Sequence, residues 1–245
     1  MNDHKENDMR GWPGDPDMPY DTVQANAQAS NAQGMPVTDV IFDFGNVLLF
    51  WDPAAALVPR YERDTIERFL DNSVSGFYDA NDLMDGGGSL DDGIAMMREA
   101  HGETWIGVMR YYLEHFEDSL IGTVPGARML INDLKDAGIG VWGLSNWQRD
   151  TFGIAQEHCD ILHQLDDAVV SGFVEMRKPD RDIYELALRR FGIEARTSVF
   201  IDDKAMNILG ANNAGLRGIR FSDPQRLRAA LIALGIGIAP VRSVQ

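Results

Sequence analysis

The sequence predicts an α/β protein, a parallel sheet with helices on both faces, interrupted once by an all-helical segment. Three observations carry this. Short apolar runs rich in β-branched and aromatic residues recur around 39–44, 139–144, 168–170, 198–201 and 218–221, as buried strands do. From Pro125 onward, stretches of helical periodicity separate these runs, which implies parallel strands joined by right-handed crossovers. Between Pro53 and Leu120 the apolar residues fall only at helical spacings, so that region reads as a helical insertion.

In chain order, residues 1–36 are rich in Asn, Asp, Gln, Gly and Pro and poor in aliphatic side chains. Such a segment buries too little apolar surface to offset its ordering entropy, so a tail dispensable for catalysis is expected there. The first strand runs into Asp43-Phe44, followed at once by Gly45-Asn46, a turn signal. Residues 46–51 are apolar but irregular, and Asp52-Pro53 closes them. In the insertion, Ala54 to Leu57, Ile66, Phe69 and Leu70 mark helical faces. Ser89-Leu90-Asp91-Asp92 resembles a capping box. Residues 105–116 carry a further helical face. Gly86-Gly87-Gly88 is expected as a link and not a phosphate loop, since no strand precedes it and no Lys-Ser/Thr follows.

After Pro125, Ala127, Leu130, Ile131 and Leu134 define a helix that Gly138 ends. The strand at 139–144 leads into Ser145-Asn146, and a helix begins near Asp150. The short strand at 168–170 gives way to a loop ending in Arg177-Lys178-Pro179, and a helix covers 180–191. The strand at 198–201 ends in Asp202-Asp203. A helix at 205–214, a strand at 218–221 and a helix at 224–234 complete the unit. The expected division is a core over 37–51 and 121–235, an inserted helical domain over 52–120, and a loose C-terminal tail over 236–245.

A formal net charge of −16 argues against nucleic acid and anionic membrane surfaces, which need clustered Lys and Arg. No apolar run approaches the roughly 20 residues of a membrane span, and no signal peptide is visible at the N-terminus. The single cysteine, Cys159, permits no intrachain disulfide and reads as an incidental buried thiol. Together these features lead to the expectation of a cytoplasmic protein.

The chemistry-bearing residues sit where strands end. In a parallel sheet all strand C-termini share one edge, and ligands bind outside it. Asp43, Ser145-Asn146 and Asp202-Asp203 can therefore converge, although they are far apart in sequence. Lys178, which precedes a helix after a short strand, can join them. Three close carboxylates repel one another, and a hard divalent cation such as Mg2+ relieves that repulsion. A carboxylate can also act as a nucleophile toward phosphorus. Ser145, the Asn146 amide and Lys178 could bind phosphoryl oxygens, and Lys178 would also offset the carboxylate charge.

Over about residues 39–234 this pattern resembles the haloacid dehalogenase-like hydrolase superfamily, with its four motifs in order. Asp43 in FDFGNVL, Ser145 in GLSN, Lys178 in MRKPD and Asp202-Asp203 in VFIDDKAMN fall on those motifs. The resemblance implies a Rossmann-like core with a helical cap inserted between the first two motifs. It implies Asp43 as nucleophile and Mg2+ ligand, Gly45 as a backbone-carbonyl ligand, and Asp203 as a direct metal ligand. Asp202 and Asn207 would support the metal shell or the lysine. Apart from the resemblance, Trp147, which follows the second motif, is a candidate to touch substrate, with packing as the plainer role. The activity implied is Mg2+-dependent hydrolysis of a small phosphorylated metabolite, with sugar phosphates among the candidates, through an aspartyl-phosphate. Metal-independent dehalogenation of a 2-haloacid and catalytically weak binding of phosphorylated ligands are the alternatives.

One departure stands out. Phosphatases of this superfamily usually carry a second Asp two residues after the nucleophile, as the proton relay. Here that position is Gly45. Asp52 and Asp79 are the nearest candidates to replace it. Trp51, Phe77, Tyr78 and Asn81 are further candidates to wall the pocket or touch substrate, with packing as the plainer role for the aromatics.

Overall fold

A computed structural model describes residues 35–240; the tail expected at the N-terminus lies almost wholly outside them. The core is a five-stranded parallel sheet in the order β5-β4-β1-β6-β7. Its strands are β1 (Asp39–Phe42), β4 (Gly140–Ser145), β5 (Asp167–Val170), β6 (Ser198–Asp202) and β7 (Arg217–Arg220). β1 is central, pairing with β4 through Phe42↔Gly143 and with β6 through Phe42↔Ile201. The ends of β1, β4 and β6 therefore lie side by side.

Side chains alternate between the two faces, as the period of two in a strand requires. Val40, Phe42, Val141, Val199 and Ile201 pack on one side with the helix α7 (Ala127–Asp136), through Leu130, Ile131 and Leu134. Ile41, Leu144, Val169 and Phe200 pack on the other. There they meet the helices α10 (Arg181–Phe191) and α11 (Ala205–Asn213), through Ile183, Tyr184, Ala187, Ile208 and Ala211. Strands buried on both faces explain the near-continuous apolar runs in the sequence. Gly143 is demanded by a close approach: a Cβ there would lie 2.5 Å from the Phe44 ring.

The insertion is helical, as expected. It comprises α1 (Pro53–Leu57), α2 (Arg63–Leu70), α3 (Asn72–Ser75), α4 (Phe77–Asp85), α5 (Leu90–His101) and α6 (Ile106–Glu114). Ser89 and Asp92 form the capping box that opens α5. Phe69, Phe77, Met97, Met109 and Tyr112 form its fully buried centre; the Phe77 ring lies tilted against Phe69 and edge-on to Tyr112, with centroids 4.8 and 5.2 Å apart. Phe77 is thus a packing residue.

Three features depart from expectation. A two-stranded antiparallel ribbon, β2 (Leu49–Trp51) and β3 (Leu120–Thr123), forms the seam between core and insertion. Its strands are too short, and too irregular between Phe50 and Trp51, to show an alternating pattern. A one-turn helix, α9 (Ser171–Val174), occupies the stretch expected as loop before Lys178. The chain after 235 is also not loose as far as it is described. Ile236 and Ile238 are buried beyond the last helix, α12 (Pro224–Ala233), and the Arg228 guanidinium donates to the Ala239 carbonyl at 2.8 Å. No helix among the described residues is long and apolar enough to cross a membrane.

Candidate active site

The ends of β1, β4 and β6 open onto a cavity of about 100 Å³ between core and insertion, room for several waters or a small anion. The core side is built on Asp43, which is 7% exposed. Three donors converge on its Oδ1: the Phe44 N–H at 2.7 Å, the Ser145 hydroxyl at 2.7 Å and the Lys178 ammonium at 2.9 Å. Among the described residues no donor addresses Oδ2. One oxygen is held and the other is free, an arrangement that aims a carboxylate.

Lys178 is 3% exposed and reaches three acceptors: Asp43, Asp202 Oδ2 at 2.7 Å and the Leu144 carbonyl at 3.0 Å. Burial works against its charge, but Asp202 and Asp43 outweigh that and raise its pKa above the usual value. Asp202, fully buried, also accepts from the Asn207 amide at 2.9 and 3.1 Å and from the Lys204 N–H at 2.8 Å. Burial pushes its carboxyl up to about 7 in spite of the Lys178 ammonium, with repulsion from Asp43 and Asp203 adding to the effect. Burial, then Asp43, raises Asp203 as well.

Asp43, Asp202 and Asp203 each offer an oxygen within 4.8 Å of the others. One lysine beside three carboxylates leaves a net negative site of hard oxygen donors, and this set fits a small divalent cation such as Mg2+. Since the Asp202 oxygens are already engaged, Asp43 and Asp203 are the better placed ligands, with Asp202 and Asn207 behind them. Gly45 lines the same cavity.

Two residues expected to touch phosphate or substrate line the cavity and also have structural tasks. The Asn146 side chain clamps the backbone of Lys178, accepting its N–H at 2.8 Å and donating to its carbonyl at 2.9 Å. This clamp positions the lysine, and Asn146 also lines the cavity. The Trp147 indole N–H donates to Thr151 at 3.0 Å, and the ring packs edge-on against Phe116 and Phe152. Trp147 walls the cavity as a buried aromatic. Trp51, also in the wall, donates to the Tyr112 hydroxyl at 3.1 Å.

Neither candidate for the missing relay reaches the site. Asp52 caps α1 through the Ala54 N–H at 2.9 Å, and Asp79 is exposed; neither lines the cavity. Four residues that the strand-end pattern gave no reason to choose do line it: Asp85, Gln148, Thr151 and Lys204. Asn81, a weak candidate on sequence, lines it too and donates to Asp85 Oδ2 at 3.1 Å. Gln148 is 3% exposed, and its Oε1 has no hydrogen-bond partner among the described residues.

A parallel sheet with an inserted helical segment carries Asp43, Ser145 and Asp202 at its strand ends, with Lys178 reaching in beside them. The chain belongs to the haloacid dehalogenase-like hydrolase family, whose model matches residues 40–215. It is 32% identical over 101 residues to the sesquiterpene phosphatase of Aspergillus oryzae, covering 40% of this chain and 52% of that one. It is 32% identical over 121 residues to the glyceraldehyde 3-phosphate phosphatase of Methanothermobacter thermautotrophicus (46% and 50% covered). It is 26% identical over 102 residues to an (S)-2-haloacid dehalogenase of Burkholderia cepacia (42% and 44% covered). The chain thus spans about half the length of these curated relatives. A solved enzyme of the family from Bacteroides thetaiotaomicron shares the fold, with a TM-score of 0.62 at 16% identity over 80% of this chain and 98% of that one.

Proposed function

We propose that the protein is a Mg2+-dependent phosphomonoester hydrolase acting on a small phosphorylated metabolite. The observation that carries this reading is the aimed carboxylate: Asp43 Oδ1 is fixed by Ser145 and Lys178, Oδ2 meets no donor among the described residues, and Asp43 lines a cavity together with Asp85 and Asp203. In this reading Asp43 Oδ2 attacks phosphorus in line with the ester oxygen. The P–O bond to the leaving alcohol breaks, and an aspartyl-phosphate forms. Ser145 and Lys178, within hydrogen-bond reach of the attacking carboxylate, also neutralise the phosphoryl oxygens as that bond forms. Water then attacks phosphorus, releases inorganic phosphate and restores Asp43. Mg2+ held by Asp43, Asp203 and the Gly45 carbonyl would supply charge neutralisation for the phosphoryl group.

Two features bear on the substrate. The cavity is small and walled by Trp51, Phe116 and Trp147, which favours a compact leaving group. The unpartnered Gln148 Oε1 is an acceptor waiting for a donor, which a hydroxyl of a sugar or polyol phosphate supplies. The named phosphatases among the relatives support hydrolysis at phosphorus. The heavy investment in acidic residues around Asp203 favours it over metal-independent attack on carbon.

The test is a panel of phosphate esters assayed with Mg2+ and with EDTA, alongside 2-haloacids. Mg2+-dependent phosphate release that disappears in Asp43→Asn is expected. Metal-independent halide release would assign the dehalogenase chemistry instead. Tight ligand binding without turnover across the panel would assign a binding role.

A further inference from the structure

Position 45 leaves the hydrolytic cycle without a proton carrier, and the cavity shows where one comes from. Of the described residues lining it, five can exchange a proton: Asp43, Lys178, Asp203, Lys204 and Asp85. Asp43 and Lys178 are bound to each other, Asp203 belongs to the acidic cluster, and the Lys204 side chain is exposed. Asp85 is the carboxyl that reaches the cavity from the insertion, at the last turn of α4.

Its placement is built. Asn81, one turn earlier, donates to Asp85 Oδ2 at 3.1 Å. The Ser171 hydroxyl, from the core helix α9, donates to the Asp85 carbonyl, and Arg177, next to Lys178, pairs with Asp82 one turn before. These contacts fix the end of α4 to the same core segment that carries the lysine. Burial pushes the Asp85 carboxyl up to about 7, an effect that Lys204 and the Gln148 backbone N–H reduce and that Asp82 and Asp43 increase. Asn81 is neutral, and so is the nearby Tyr112 hydroxyl, which burial above all, and the Asp85 charge in addition, keep protonated. A carboxyl poised there holds a proton near neutral pH and can take it back.

We propose that Asp85 is the general acid and base of the hydrolytic cycle, delivered from the inserted domain in place of the carboxylate absent at Gly45. The inference rests on the phosphatase reading above. As Asp43 Oδ2 bonds to phosphorus and the P–O ester bond breaks, the leaving oxygen takes the proton of the Asp85 carboxyl, giving free alcohol and aspartyl-phosphate. In the second step the Asp85 carboxylate takes a proton from the attacking water. The P–O bond to Asp43 breaks, and inorganic phosphate leaves with Asp43 ionised and Asp85 again protonated. Because the acid rides on the insertion, the relay is complete only when that domain is docked on the core.

The experiment is Asp85→Asn with Mg2+, compared on an alkyl phosphate and on 4-nitrophenyl phosphate. With the alkyl ester, kcat/KM should fall about 10²–10⁴-fold. With 4-nitrophenyl phosphate, whose leaving group needs no proton, the first turnover should survive as a burst of nitrophenol equal to the enzyme present, followed by slow turnover. The fall of wild-type kcat/KM above about pH 7 should be absent in the variant. The cavity also permits a rescue, since a Cβ at Gly45 would meet nothing within 4 Å. Gly45→Asp added to Asp85→Asn should restore turnover of the alkyl ester. Equal losses on both esters without a burst, an unchanged pH profile, or wild-type rates in Asp85→Asn would each overturn the assignment. If wild-type protein releases no phosphate from any ester, the phosphatase reading itself fails, and that outcome is separate from the others.

Discussion

The two walls of the cavity are made differently. The core wall (Asp43, Ser145 and Lys178, with Asp202 behind them) is buried, and every polar side-chain atom but Asp43 Oδ2 is tied to a neighbour at 2.7–3.1 Å. Asp43, Ser145 and Asp202 stand at the ends of adjacent strands of one sheet, so the backbone ladder itself sets their spacing, and Lys178 is clamped beside them through Asn146. The opposite wall (Asn81 and Asp85) stands on a single helix held to the core by a few contacts, several of them exposed, as in the Arg177–Asp82 pair. One wall is set by the sheet itself; the other is set by how the insertion docks, and in the proposed cycle that docking completes the site.

Mutations should divide along this line. The largest effect is expected for Asp43→Asn, which removes the attacking oxygen while keeping the shape: phosphate release should fall by about 10⁴-fold or more, with thermal stability little changed. Lys178→Met should lose activity and stability together. It strands Asp43 and Asp202 as buried, unpaired carboxylates, a loss of about 3–5 kcal/mol, measurable by urea unfolding and smaller at low pH, where the raised carboxyl of Asp202 takes up a proton. Asn146→Ala should be milder, about 1–3 kcal/mol for two hydrogen bonds to the Lys178 backbone, with kcat reduced more than KM changes. Arg177→Ala should be the smallest in stability, under about 1 kcal/mol because the pair is exposed, yet it should raise KM by loosening the end of α4. If Arg177→Ala instead lowered stability as much as Lys178→Met, the contrast between the walls would collapse.

The same contrast explains what the sequence could reveal. Strand ends are legible because an apolar run buried on both faces stops abruptly at Asp43, Ser145 or Asp202, and a parallel sheet brings such stops to one edge. The capping box at Ser89 is legible because cap chemistry is local. Asp85 is not, because Asp79, Asp82 and Asp85 recur at every third position of one polar helix surface, and only docking selects which of them turns inward. Asn146 was legible as a site residue but not in its task, since its partner is the backbone of Lys178, 32 positions away. The β2–β3 ribbon escaped because its strands join residues some 70 apart and each is three or four long. Ile236 and Ile238 do alternate across Gly237, a signal of packing that the small, glycine-rich surroundings obscured.

The central claim is that Asp43 bonds to phosphorus. Rapid acid quench of the protein during turnover of 4-nitrophenyl phosphate with Mg2+, followed by mass spectrometry of its peptides, tests it directly. A phosphoryl group on the peptide containing Asp43, absent from Asp43→Asn and more abundant in Asp85→Asn, is the predicted result. Steady phosphate release with no label on that peptide in either protein, and undiminished in Asp43→Asn, would contradict it.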